Sequence, residues 1–173
     1  NTVESSIGDV VEEELEEEKE VNILVTPVEG KVIDLSKVND ELFASKTLGD
    51  GVAIIPTNGN LYAPCDSEVV MLFETKHAIG LRTKNGAEIL IHIGINTVSM
   101  NGDGFKTFVK TGDNVKEGDL LIQFDLDKIS HANLDSTVMI VNNNGADYAY
   151  KVLNQSYGNV KKGSILFDVK GGI

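Results

Sequence analysis

Apolar residues in this chain arrive in short runs of four to seven, and glycine, asparagine and aspartate punctuate them. The runs fall at 21–25, 51–55, 69–73, 88–93, 120–124, 138–141 and 165–169, and β-branched side chains dominate them. Runs of that length between turn signals such as Asn85-Gly86 and Asn101-Gly102 read as strands. No long stretch keeps a helical period, so helix is expected only as surface turns at 38–43 and 127–131. The chain is therefore read as all-β: an antiparallel β-sandwich or barrel-sandwich with minimal helix. With 173 residues, 41% of them hydrophobic, it can bury a core.

Two internal repeats sharpen that reading. Asn114-Val115-Lys116-Glu117-Gly118-Asp119-Leu120-Leu121 recurs as Asn159-Val160-Lys161-Lys162-Gly163-Ser164-Ile165-Leu166. Pro27-Val28-Glu29-Gly30-Lys31-Val32-Ile33 resembles Pro64-Cys65-Asp66-Ser67-Glu68-Val69-Val70. Both pairs place a turn before an apolar strand, as internal duplication of a β unit would.

Charge is unevenly distributed. Residues 1–20 hold nine acids against the single base Lys19. Clustered like charges repel and cannot repay the entropy of ordering, so 1–20 reads as an acidic flexible linker and 21–173 as the folded domain. A linker ahead of a domain, in a chain that begins at Asn1, suggests a piece of a larger protein. The formal charge of −12 argues against nucleic acid as a partner, because phosphates need a basic face. No apolar run approaches a membrane span and no secretory signal is visible. The lone Cys65 offers no disulfide framework and suits a cytoplasmic setting.

Chemistry is expected at the histidines. His131 sits in a polar segment and reads as a surface residue. His77 and His92 flank Asn85-Gly86, the strongest two-residue hairpin signal. With those two residues as the turn, Ile79 faces His92, His77 faces Gly94 and Thr75 faces Asn96. The two imidazoles then share a sheet face as diagonal neighbours, roughly 7–8 Å apart in backbone. Such a pair can bind a metal, act as acid and base, or form a nucleophile with a helper. Two unrelated half-buried histidines would give the same spacing. No nucleophile-elbow serine or phosphate-binding glycine loop competes.

The segments Phe73-Glu74-Thr75-Lys76-His77-Ala78-Ile79-Gly80-Leu81 and Glu88-Ile89-Leu90-Ile91-His92-Ile93-Gly94-Ile95-Asn96-Thr97-Val98 closely resemble the glucose-type IIA domain of the bacterial sugar phosphotransferase system. Gly49-Asp50-Gly51-Val52-Ala53-Ile54-Ile55-Pro56, Asn101-Gly102-Asp103-Gly104-Phe105 and the stretch 112–125 agree with it. The resemblance implies a phosphoryl relay. His92 is the phosphorylated nucleophile, His77 the helper, and Thr75 the residue that orients His77. The histidine phosphocarrier protein is the implied donor, a IIB domain cysteine the acceptor, and a membrane IIC domain an indirect partner. The implied docking rim is Leu42, Phe43, Phe73, Leu90 and Val98, with Asp40 outside it. Asn96 stands where aspartate is common, and Leu90 where phenylalanine is common in some members. No cofactor is required on this reading, although His77 and His92 could hold zinc at a partner interface.

Other β-sandwich classes fit less well. A lysostaphin-type zinc peptidase wants a His-x-His motif, and here Ile93-Gly94 follows His92. A lipoyl or biotinyl carrier needs a lysine at a hairpin tip in a defined motif. A purely regulatory binding module remains compatible with the same sequence.

Overall fold

The computed structural model describes residues 21–145, 148–152 and 157–171. The linker expected at 1–20 lies outside the described residues. In chain order the strands begin with β1 (Val21–Val25), β2 (Gly30–Asp34), β3 (Asp50–Pro56), β4 (Asn60–Tyr62) and β5 (Ser67–Leu72). Then come β6 (Ala78–Thr83), β7 (Glu88–Ile93), β8 (Phe105–Thr107), β9 (Asn114–Val115) and β10 (Leu120–Phe124). The last are β11 (Val138–Asn142), β12 (Tyr148–Val152), β13 (Asn159–Val160) and β14 (Ile165–Gly171). One sheet runs β13-β2-β3-β11-β7-β6-β5-β9, a second β4-β10-β8, and a third β1-β14-β12. The pairings are antiparallel, and among the described residues no sheet closes into a barrel. The expected all-β sandwich is what forms.

Alternation explains the layers. Along β7, Ile89, Ile91 and Ile93 point to one side and meet Leu24, Leu61, Leu121 and Phe167 from the two smaller sheets. This is the main core, and each such fully buried aliphatic side chain contributes about 1.5–3 kcal/mol. On the other side, Leu90 of β7 joins Met139 and Val141 of β11 in a second cluster. Among the described residues a short segment covers that side: a 3₁₀ turn at Leu35–Lys37 and a one-turn helix at Glu41–Ala44, which contribute Leu35 and Phe43. Ala53 and Ala78 beneath it are small enough for the cover to lie close. The helix starts later than the sequence pattern suggested because Asp40 is its N-cap, with Oδ1 accepting the Leu42 N–H at 3.0 Å. Asp125 caps the second helix, Leu126–His131, in the same way.

The duplication is visible in the hydrogen bonds. β9 pairs with β5 through Ser67↔Val115 and Glu68↔Asn114, and β13 pairs with β2 through the repeat equivalents Gly30↔Val160 and Lys31↔Asn159. The loops match as well. Asp66 Oδ1 accepts the Glu117 N–H at 2.9 Å, and Glu29 Oε2 accepts the equivalent Lys162 N–H at 3.0 Å. Val25 N–H donates to the Pro64 carbonyl at 2.9 Å, while Tyr62 N–H donates to the Pro27 carbonyl at 2.7 Å. The two repeat halves thus clasp each other reciprocally.

The β6–β7 hairpin corrects the sequence expectation by one residue. Ala78, not Ile79, pairs with His92, and Ile79 pairs with Ile91. The turn is not the two residues Asn85-Gly86. It is a three-residue loop, closed by Thr83 N–H to the Ala87 carbonyl at 2.8 Å and Gly86 N–H to the Thr83 carbonyl at 2.9 Å. Thr83 Oγ1 selects it by accepting the Ala87 N–H at 3.0 Å, and Gly86 takes φ +93°. That φ is strained for any residue with a Cβ. Gly86→Ala is expected to lower stability by about 1–2 kcal/mol. Urea unfolding measures this, and an unchanged midpoint would mean the loop can adopt another turn.

Candidate functional site

In a regular ladder the observed register would send His77 and His92 to opposite faces. They meet nonetheless, because His77 precedes β6 and the chain has already left the strand there. A tight turn at 73–76 is closed by Lys76 N–H to the Phe73 carbonyl at 2.8 Å, with Lys76 at φ +62°. The turn swings the His77 ring onto His92, with centroids 4.8 Å apart and planes at 80°. The His77 backbone still ties to β7 by accepting the Ile93 N–H at 2.7 Å.

Each imidazole is held by one partner. His92 Nδ1 lies 2.8 Å from the Gly94 carbonyl oxygen. A carbonyl only accepts, so in the neutral ring Nδ1 carries the proton and Nε2 keeps its lone pair. His77 Nδ1 lies 2.7 Å from Thr75 Oγ1, the contact expected from the sequence, although a turn and not a strand face delivers it. Gly94 is required where it stands. Its φ is +76°, and a Cβ there would lie 2.4 Å from Thr97 Cγ2 and 2.9 Å from the Asp135 carbonyl oxygen. Thr97, fully buried, donates from Oγ1 to the Ile93 carbonyl.

Aromatic rings flank the pair. Phe43 packs on His92 with centroids 5.2 Å apart, and Phe73 meets His77 edge-on at 5.3 Å. The five apolar residues expected as a rim divide into two sets. Leu42, Phe73 and Val98 are exposed, whereas Phe43 and Leu90 are buried in the second cluster. Phe43 and Leu90 therefore form the floor. The single helical turn forces this at 42 and 43, because neighbouring helical residues point in different directions. Asp40 spends one carboxylate oxygen on its cap, and its charge favours the protonated form of His92. Asn96 is exposed in the left-handed conformation at φ +60°, which asparagine tolerates.

Burial dominates the electrostatics. His77 is 2% exposed, and burial with His92 beside it pushes its pKa down to about 4. Burial also holds His92 below its usual range, with the Gly94 carbonyl and Asp40 acting the other way. Both rings are therefore neutral near pH 7, as a nucleophilic imidazole needs. Cys65 is buried, and burial pushes its thiol up to about 11, so it is protonated near pH 7. His131 is exposed at the end of its helix, with Nδ1 2.6 Å from the Asp127 carbonyl oxygen. Among the described residues no three His, Cys, Asp or Glu side chains gather as a metal site. A zinc ion on His77 and His92 would need the rest of its tetrahedral shell from a partner.

Sequence reasoning missed Thr97, Asp135 and Thr137, which brace Gly94. Asp135 and Thr137 lie more than forty residues from Gly94 along the chain, and only sheet register brings them to it.

The fold and site together are an antiparallel β-sandwich that presents a close pair of neutral histidines over an apolar floor. The family model described as phosphoenolpyruvate-dependent sugar phosphotransferase system, EIIA 1, matches residues 22–148. Among solved structures, the glucose permease IIA from Mycoplasma capricolum is 36% identical, with a TM-score of 0.76, over 86% of this chain and 96% of that one. The chain belongs to the EIIA family of the sugar phosphotransferase system, and its general activity is that of a phosphotransferase component in a phosphoryl relay for sugar uptake. None of its helices is long and apolar enough to cross a membrane, among the described residues.

The depressed proton affinity of His77 makes stability pH-dependent. Between pH 6.5 and 4 the unfolded chain binds a proton that folded His77 does not, so stability is full above the unfolded value and falls through this window. The His77 share of that loss is about 3 kcal/mol by pH 4. The stability of the wild type relative to His77→Gln is expected to fall by about 3 kcal/mol as pH drops from 6.5 to 4, measured by unfolding curves across this range. Parallel curves would show that His77 titrates normally in the fold.

Proposed function

We propose that His92 is the phosphorylated residue, that it accepts its phosphoryl group from the histidine phosphocarrier protein, and that it passes it to a cysteine of a IIB domain in the cytoplasm. The observation that carries this reading is the Nδ1–H bond to the Gly94 carbonyl, which leaves Nε2 as the free nucleophile. In the first step the Nε2 lone pair attacks phosphorus, and the donor's P–N bond breaks with its electrons returning to the donor ring. In the second step a cysteine thiolate attacks the same phosphorus, and the bond to Nε2 breaks with its electrons returning to His92. Such loose transfers need positioning and charge stabilisation more than proton transfer. On this reading His77 stabilises the transferring oxygens; the ring's closeness to His92 and its contact with Thr75 Oγ1 support it.

Leu42, Phe73 and Val98 offer exposed apolar area around the pair, and the buried Phe43 and Leu90 support it from below. Closing a partner over that surface would exclude water from the phosphoramidate. Asp40 and Asn96 lie at the edge as polar contacts for a partner, and the membrane IIC domain enters only through IIB.

Phosphorylation from labelled phosphocarrier, followed by a chase with IIB, tests the roles. His92→Ala is expected to take no label. His77→Gln is expected to take label and to donate about 100-fold more slowly, the effect of losing one charge-stabilising hydrogen bond of roughly 3 kcal/mol. Label on His92→Ala but not on His77→Gln would reverse the assignment.

The neutral Asn96 makes its own prediction. Asn96→Asp is expected to raise the association rate with a basic carrier at low ionic strength, and the gain should shrink as salt is added. Stopped-flow rates at two salt concentrations measure this. A rate that does not respond would place Asn96 outside the docking surface.

A further inference from the structure

The geometry points to Asp135 as a positioning residue for His92, acting through the Gly94–Ile95 peptide. This rests on His92 being the nucleophile, and it concerns what keeps the Gly94 carbonyl available to the ring. β7 and β11 pair with Met139 opposite His92 and Val138 opposite Ile93, so the next pair is Gly94 with Thr137. Gly94 N–H indeed donates to the Thr137 carbonyl at 2.9 Å. In a continued antiparallel ladder such a pair exchanges both bonds, and Thr137 N–H would donate back to the Gly94 carbonyl. Here it does not. Thr137 N–H donates to Asp135 Oδ1 at 2.8 Å, and Thr137 Oγ1 donates to the same oxygen at 2.6 Å. The Gly94 carbonyl accepts from His92 Nδ1 instead.

Asp135 acts a second time through its backbone. Its carbonyl accepts the Ile95 N–H at 2.9 Å. That N–H belongs to the same peptide unit as the Gly94 carbonyl, and in a trans peptide the two point in opposite directions. Anchoring one end on Asp135 aims the other end at the imidazole. The result is a chain from His92 Nδ1–H through the 94–95 peptide to Asp135, in which each hydrogen bond polarises the next. Thr137 is 5% exposed and Thr97 is fully buried, so water has little access to compete for these groups. The hydrogen bonds of the Asp135 carboxylate go to the Thr137 N–H and Oγ1. Its part is to divert the Thr137 donor and to hold the turn that supplies the backbone acceptor.

The test is the position of the ring proton on His92, read from ¹⁵N shifts of the imidazole, together with the rate of phosphoryl acceptance. The wild type is expected to carry the proton on Nδ1. In Asp135→Ala, Thr137 N–H is free to bond the Gly94 carbonyl. A share of the Nε2–H form is then expected, with acceptance slowed about tenfold or more. Asp135→Asn keeps an accepting oxygen and is expected to restore both readouts. If Asp135→Ala does not fold, Asp135→Leu, which also removes the acceptor but leaves a smaller void, carries the same test. A His92 proton that stays on Nδ1 in the folded variant overturns the proposal, even where the melting temperature falls, because a merely structural role would do that much. The proton measurement needs no partner. A wild-type His92 that accepts no phosphoryl group would therefore overturn the proposed function and leave the ring proton to decide on Asp135.

Discussion

Alternation along β7 sends Ile89, Ile91 and Ile93 into the main core and turns Leu90 and His92 to the other side. The strand that anchors the large sheet is thus also the strand that carries the reactive ring. Its neighbours β6 and β11 bracket His92 with Ala78 and Met139. A backbone buried between two sheet neighbours has little freedom to move, so the imidazole inherits the rigidity of the core. Precision at His92 follows from placing that ring on an interior strand of the large sheet.

That placement costs stability in acid and benefits chemistry at neutral pH. Burial of His77 and His92 penalises their charged forms, so the fold keeps both rings neutral. A neutral ring with its proton committed to a carbonyl exposes one nitrogen lone pair and no alternative. The same desolvation makes the pair a liability as the unfolded chain begins to bind protons. Stability and reactivity are here two consequences of one burial.

The frame and the site have different origins in the chain. The clasped loops and the short strands β9 and β13 repeat residue for residue across the two halves. His77, His92, Gly94 and the Asp135–Thr137 turn fall outside the repeated segments. The duplicated part closes the sandwich through reciprocal backbone bonds. The unrepeated part bends away from ideal strands: a turn at Lys76, a left-handed Gly94, and a carboxylate that interrupts a ladder. A rigid frame can absorb these departures at the place where the chemistry is proposed.

Much was legible from residues alone. Short β-branched runs between turn residues determined an all-β sandwich, because period and length are local properties of the chain. The repeats were legible for the same reason, and the motif around His77 and His92 pointed to the family. The Thr75 contact with His77 was also within reach, since only Lys76 separates them. Register was not. A hydroxyl on Thr83 and a glycine at Gly86 converted the expected two-residue turn into three, and one residue of slip exchanges the faces of a strand. Only the turn at 73–76 then restored the histidine pair. The division of the apolar residues into floor and rim, and the bracing of Gly94 by Asp135, were likewise decided by tertiary structure. They depend on which distant segment lies beside β7, and no local pattern of residues encodes a neighbour forty positions away.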